Sequence, residues 1–125
     1  MKVGEIFEDI SARELSDVER FADSLWHHLG VDVKFTKHFL DRVNDERNQN
    51  PITVDELIAL FKKEFYQYGR HISDLEGNSE AVMKDLLSKV NLPFVMNDRG
   101  RDKQLVAKTV MRKPNFKTSS QEFAV

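Results

Sequence analysis

Apolar residues recur along the chain at two spacings, and the change from one to the other divides it. Val18, Phe21, Ala22, Leu25, Trp26 and Leu29 follow every three or four positions, the spacing of one helix face. Ser16, with Glu19 three residues on, makes a capping-box pattern, and Gly30 supplies a stop, which predicts a helix over 17–29. Val31-Asp32-Val33-Lys34-Phe35 then alternates strictly and predicts a short strand. Thr36 opens a second helical stretch over 37–47, with Phe39, Leu40 and Val43 inward, and Asn48-Gln49-Asn50-Pro51 breaks it. Thr53 and Glu56 repeat the capping box, and Ile52 and Leu57 have the spacing of a hydrophobic staple. Val54, Leu57, Ile58, Phe61, Phe65 and Tyr68 form the longest apolar stripe and predict a helix over 54–69, ended by Gly69.

Beyond Gly77-Asn78 the spacing shortens. Residues 80–87 fit a helix begun at Ser79 and Glu80 as well as they fit a strand, because so short a run carries no decisive period. Leu92-Pro93-Phe94-Val95-Met96 predicts a strand that Pro93 opens. A polar turn follows over 97–102. Residues 104–112, apolar on both faces, predict one long strand near the centre of a sheet. From Pro114 onward the pattern is that of a loosely held tail. The expected architecture is a single α+β domain, its N-terminal helices packed on a small antiparallel sheet. Residues 1–30 form a helical segment, 31–113 the core and 114–125 the tail.

Composition narrows the class. The 125 residues suit one domain, and 40% hydrophobic with 32% charged residues suits one core under a hydrated surface. No stretch approaches the roughly 18 apolar residues of a spanning helix, so no membrane insertion is expected. Glu5, Glu8 and Asp9 stand where a signal peptide is basic and then apolar, which argues for an intracellular chain. The absence of cysteine excludes disulfides, thiolate zinc sites and cysteine nucleophiles. Net charge is only -2, but residues 1–30 carry -4 and residues 97–118 carry +5. Such asymmetry allows a basic working surface on an acidic body, with Arg99, Arg101, Lys108, Arg112 and Lys113 as candidate nucleic-acid contacts.

On the second helix His38, Asp41, Arg42 and Asp45 share the face opposite Phe39, Leu40 and Val43. An imidazole that can carry a proton either way, next to a fixed cation, is a pairing that phosphodiester chemistry uses. The same face would also serve as a solvated surface of intrahelical ion pairs. His27 and His28 are adjacent, so from a helix they cannot chelate one ion together, and one of them is expected at the core edge beside Trp26. No metal-ligand spacing and no cofactor fingerprint occurs, so neither a metal nor a cofactor is expected. Thr109 falls among apolar neighbours, where a hydroxyl needs a partner or a purpose.

The strand leading into K-H-F-L-D-R, the helix after it and the late L-V-A-K-T-V resemble the phage-encoded branch of the Barnase–EndoU–colicin–RelE group of small RNases. The stretches FTKHFLDRVNDERN, NLPFV and KTVMRKPNFKT are also similar to a family common in tailed phages, and together the likeness covers roughly residues 31–118. The resemblance implies an early helix offering His38 and Arg42 to a curved sheet whose late strand offers Thr109. It implies a metal-independent endoribonuclease acting on RNA in the host cytoplasm or from the virion. The alternative is a non-catalytic virion or host-interaction protein that keeps the fold and takes a phage or host protein as its partner.

Overall fold

The computed structural model describes residues 9–48, 50–99 and 102–125, the side chain of Arg99 excepted. Its elements run α1 (Ala12–His27), β1 (Val31–Phe35), α2 (Lys37–Val43), a 3-10 turn (Glu46–Asn48) and α3 (Val54–Ser73). Then come β2 (Ser79–Lys84), β3 (Val90–Arg99), β4 (Asp102–Ala107), β5 (Met111–Arg112) and β6 (Gln121–Ala124). The α+β order with N-terminal helices is the one the spacing predicts.

The start of α1 differs from expectation. Ser11, not Ser16, caps the helix: its hydroxyl accepts the Glu14 amide at 3.1 Å and the Glu14 carboxylate accepts the Ser11 amide at 3.1 Å. Both serines have a glutamate three residues on, and the earlier one brings Leu15 into the buried stripe with Val18, Ala22 and Trp26. Glu19 is thereby free for another task. Its Oε2 accepts the Phe35 amide at 2.6 Å, and Asp23 Oδ1 accepts the Val33 amide at 2.8 Å. Two helix carboxylates thus occupy backbone donors of edge strand β1, which would otherwise be open to another strand. His27 and His28 both lie exposed, so neither reaches the core edge.

Thr36 caps α2 through the Phe39 amide. The helix ends at Val43 rather than 47 because two asparagines take over. Asn48 Nδ2 donates to the carbonyls of Arg42 and Val43, and Asn44 pairs both ways with the backbone of Ile10. At the start of α3 the Thr53–Glu56 capping box is present as expected. Its end is later than expected. Gly69 lies inside the helix, where a Cβ would meet Leu29 Cδ1 at 2.7 Å, so this glycine permits close packing and stops nothing. Lys103 Nζ closes the C-terminus four residues on by donating to the carbonyls of Ser73 and Leu75.

The strands form one open sheet in the order β1-β4-β3-β2-β6, with β5 beside the start of β3. It is mixed, not wholly antiparallel: β1 runs parallel to β4, and β6 parallel to β2. Apolar alternation fixes which face is buried but is blind to strand direction, and the long connections from β1 to β4 and from β2 to β6 each allow a parallel pair. The ambiguous stretch resolves as strand β2 and a turn. The C-terminal stretch is no loose tail, since β6 pairs with β2 and buries Phe123, and Lys84 Nζ ties Phe116 O and Glu122 to the sheet.

The expected single strand over 104–112 is broken in two, and Pro93 is the reason. It stands fourth in β3, not first, and its carbonyl accepts Lys108 N at 3.0 Å. Carbonyl and amide of one strand residue point to the same side, so the donor that proline lacks is missing on the side facing residues 108–110. Lys108-Thr109-Val110 leave the ladder there, and pairing resumes only at Met111 and Arg112.

One face of the sheet meets α1 and α3. Phe35 stacks on Phe39 and Phe61 at 4.4 and 5.8 Å between ring centroids, Trp26 meets Phe65 edge-on at 5.6 Å, and Tyr68 packs on Phe123. Phe61 is fully buried. Glu64, one turn on, is fully buried as well, and among the described residues its carboxyl oxygens have no hydrogen-bond partner. Burial, reinforced by nearby Asp85, pushes its pKa up to about 9, an effect that the Lys84 amide and Lys63 only partly offset.

Phe61→Ala should lower stability by about 3–5 kcal/mol in denaturant unfolding, because a fully buried ring leaves a cavity between α3 and the sheet. For Glu64 the sign follows from its raised pKa. Below its ordinary value of 4.5 the folded and unfolded chains are both protonated there; between 4.5 and about 9 only the unfolded chain ionises. Stability should therefore fall as pH rises through that window, and Glu64→Gln should remove most of the slope and stabilise the chain at pH 8 by on the order of a few kcal/mol. Unfolding curves of both proteins between pH 5 and 9 measure it.

Candidate phosphate-binding pocket

The break after β4 swings residues 109–114 towards α2 and creates a concave pocket of about 530 Å³. One wall is helical, formed by His38, Arg42, Asp45, Arg47 and Asn48. The other is the run from Thr109 to Pro114. The walls are joined at both ends. Thr36 Oγ1 donates to Lys108 O at 2.9 Å, and Thr36 N donates to Ala107 O. At the far end the buried Asn48 accepts the Arg112 amide at 2.9 Å while donating to the end of α2. The position of the helix face relative to the strand is therefore set by side chains that hydrogen-bond in both directions.

His38, Arg42 and Thr109 all line this pocket, although 71 residues separate the first from the last. Arg42 Nε donates to His38 Nε2 at 3.1 Å, and Arg42 Nη1 donates to Asp45 Oδ2 at 3.1 Å. Asp45 also receives the fork of Arg47, Nε on Oδ1 at 3.0 Å and Nη2 on Oδ2 at 2.9 Å, and the Arg47 amide at 2.8 Å. One carboxylate thus orients two guanidinium groups at the mouth. Asp41, on the same helix face by spacing, is exposed and is not part of the lining. Arg47 and Asn48 escaped the spacing argument, since they lie beyond the end of α2 in the 3-10 turn. The cluster of asparagines that marks the break was the available signal.

The basic segment is used less freely than its charge suggests. Arg112 donates all five of its N–H groups: Nε to Asn50 O, Nη1 to Glu56 Oε2 and Ser88 O, and Nη2 to Pro51 O and Glu56 Oε1, at 2.6–3.1 Å. Its guanidinium is largely buried and saturated, which corrects its expected role as a nucleic-acid contact. Burial alone would raise the Glu56 carboxyl, but the Arg112 fork, with the Thr53 amide, holds it below its ordinary value. Lys103 closes α3, as described. Lys108 pairs with Glu80 at 2.6 Å, holding that carboxyl below its usual range, and it lies outside the pocket lining. Lys113 does line the pocket and is exposed. Arg101 and the Arg99 side chain lie outside the described residues.

With Arg112 neutralised by Glu56, the lining among the described residues carries Arg42, Arg47 and Lys113 against the one carboxylate Asp45. That surplus, beside the apolar lining residues Val110, Met111 and Pro114, suits an anion with an apolar body. Among the described residues no three His, Asp or Glu side chains gather as a metal site, and no helix is long and apolar enough to cross a membrane. The chain matches no known protein family, no curated protein and no solved structure in the comparisons made.

Arg112→Met should lower stability by about 2–4 kcal/mol, because Glu56 and three carbonyls lose a buried donor, whereas Lys113→Ala should change it by less than about 0.5 kcal/mol. Chemical denaturation of the two variants separates the structural cation from the exposed one.

Proposed function

We propose that the pocket binds a phosphodiester of RNA and that the chain is a metal-independent endoribonuclease, phage-encoded and acting in the host cytoplasm or from the virion. The observation that carries this reading is the convergence of His38, Arg42 and Thr109 on one cationic pocket. In the proposed reaction the 2′-OH of the substrate attacks the adjacent phosphorus and the bond to the 5′ oxygen breaks. The products are a 2′,3′-cyclic phosphate end and a 5′-hydroxyl end. His38 takes the 2′-OH proton, and the departing 5′ oxygen takes one from water. Arg42 and Arg47 face the charge that develops on the phosphoryl oxygens, and the Thr109 hydroxyl donates to one of them. Lys113 extends the cationic surface along the strand side. No resident cofactor is required.

A second reading, a non-catalytic virion or host-interaction protein, draws on a different place. Leu86 and Leu87 stand 57% and 88% exposed at the turn between β2 and β3. Asp85 holds that turn by accepting the Leu87 and Ser88 amides and pairing with Lys63, so the leucines are presented on a firmly tied loop.

Cleavage of single-stranded and structured RNAs by the purified chain decides between the two. Under the nuclease reading cleavage proceeds in EDTA, His38→Ala reduces it about 10²–10⁴-fold, Arg42→Ala also reduces it, and thermal stability hardly changes in either variant. Intact RNA with wild type, or His38→Ala cleaving as well as wild type, overturns the nuclease reading.

A further inference from the structure

We infer that Arg42 masks the lone pair of His38 in the resting protein and that a bound phosphate releases it by taking over the guanidinium. The release step rests on the phosphodiester reading of the pocket; the masking step rests on geometry alone.

A guanidinium has donors and no acceptor, so the 3.1 Å bond from Arg42 Nε to His38 Nε2 requires a bare lone pair on Nε2. The ring is then neutral with its proton on Nδ1. The bond made by one ring nitrogen decides where the proton of the other sits, and here it selects the tautomer less common for free imidazole in water. Adding a proton at Nε2 would set an imidazolium head-on against a guanidinium. In this arrangement Nε2 cannot accept a proton from a ribose hydroxyl, because its lone pair is already taken.

Asp45 is the positioning residue. It holds Arg42 Nη1 at 3.1 Å and is itself held by the Arg47 fork and the Arg47 amide, so it aims the Nε edge of Arg42 at the imidazole. Among the described residues Arg42 Nη2 has no partner. Nε and Nη2 form the edge of a guanidinium that grips phosphate through two parallel bonds. A phosphate engaging that edge draws the Nε–H away from a neutral ring nitrogen and onto an anion, and charge-assisted bonds of this kind are roughly twice as strong as neutral ones. The exchange leaves Nε2 free to hold a proton when, and only when, a phosphate lies beside it. The base is thus exposed by its own substrate.

The test is the tautomer of His38, read from long-range 1H–15N correlations of the full 15N-labelled chain at pH 8, with the His38 signals assigned by their loss in His38→Gln. The free wild type should show a protonated Nδ1 and a bare, downfield Nε2. Arg42→Ala should move Nε2 upfield to the position of a protonated nitrogen, and Asp45→Asn should move it part of the way. Uridine 3′-monophosphate should shift the wild type in the same direction and leave the Arg42→Ala spectrum unchanged. A free wild type already protonated on Nε2, or an Nε2 signal indifferent to Arg42→Ala, overturns the masking. No movement with millimolar uridine 3′-monophosphate overturns the release. RNA cleavage is scored separately: masking and release without any cleavage removes the nuclease reading and leaves this inference standing.

Discussion

The five donors of Arg112 hold the start of α3 and the β2–β3 turn to β5, three segments far apart in sequence. The guanidinium reaches the loop before α3 through Asn50 and Pro51, the first turn of α3 through Glu56, and the β2–β3 turn through Ser88. Its own backbone amide is held by Asn48 at the end of the 3-10 turn. Each acceptor is a carbonyl or carboxylate that would otherwise be buried with a poor partner or left to water, so the arrangement is stable only when complete. Because β5 is anchored in this way, the preceding residues 108–110 can leave the sheet without fraying it.

Their departure makes the pocket. A proline inside a central strand removes one rung of the ladder, and the chain bulges where the rung is missing. The bulge carries Thr109 out of the line of β4 and sets it opposite α2, whose start is tied to the end of β4 by Thr36 and whose end is tied to β5 by Asn48. A defect in the sheet is thereby converted into a concave site of defined width. The cations that serve the frame and those that face the pocket are different residues: Lys103 and Arg112 hold structure and Lys108 pairs with Glu80 at the surface, while Arg42, Arg47 and Lys113 line the cavity, where Asp45 is the one carboxylate among the described residues.

The two carboxyl environments near α3 show how the same frame treats charge in opposite ways. Burial alone would push the Glu56 carboxyl up, but it is ionised within reach of Arg112 and its affinity for a proton falls; Glu64 is buried with no hydrogen-bond partner for its oxygens among the described residues, and its affinity rises despite the nearby Lys84 amide and Lys63. Asp85 belongs with Glu56: burial would raise its carboxyl, but Lys63 and the Ser88 and Leu87 amides hold it below its usual range. These paired groups lend stability that is lost only as pH falls below about 4.5 for Glu56 and 3.8 for Asp85, while Glu64 acts across the range above.

Local sequence was sufficient wherever the physics is local. The capping box at Thr53 and Glu56, the stripe through Phe61 and the alternation of Val31, Val33 and Phe35 each declared an element, because caps and amphipathic periods act within a turn or a few strand residues. The pairing of His38 with Arg42 was legible for the same reason, being four residues apart on one helix face. What spacing could not decide was every choice made by distant partners. Ser11 and Ser16 carry the same capping signal, and the burial of Leu15 chose between them. Gly69 looks like a stop until Leu29 packs against it. Strand direction, the pairing of β6, the break opposite Pro93 and the saturation of Arg112 all depend on segments tens of residues away. A cation in a sequence is only a charge; whether it is free to meet a ligand is decided by the carboxylates and carbonyls that the folded chain brings to it.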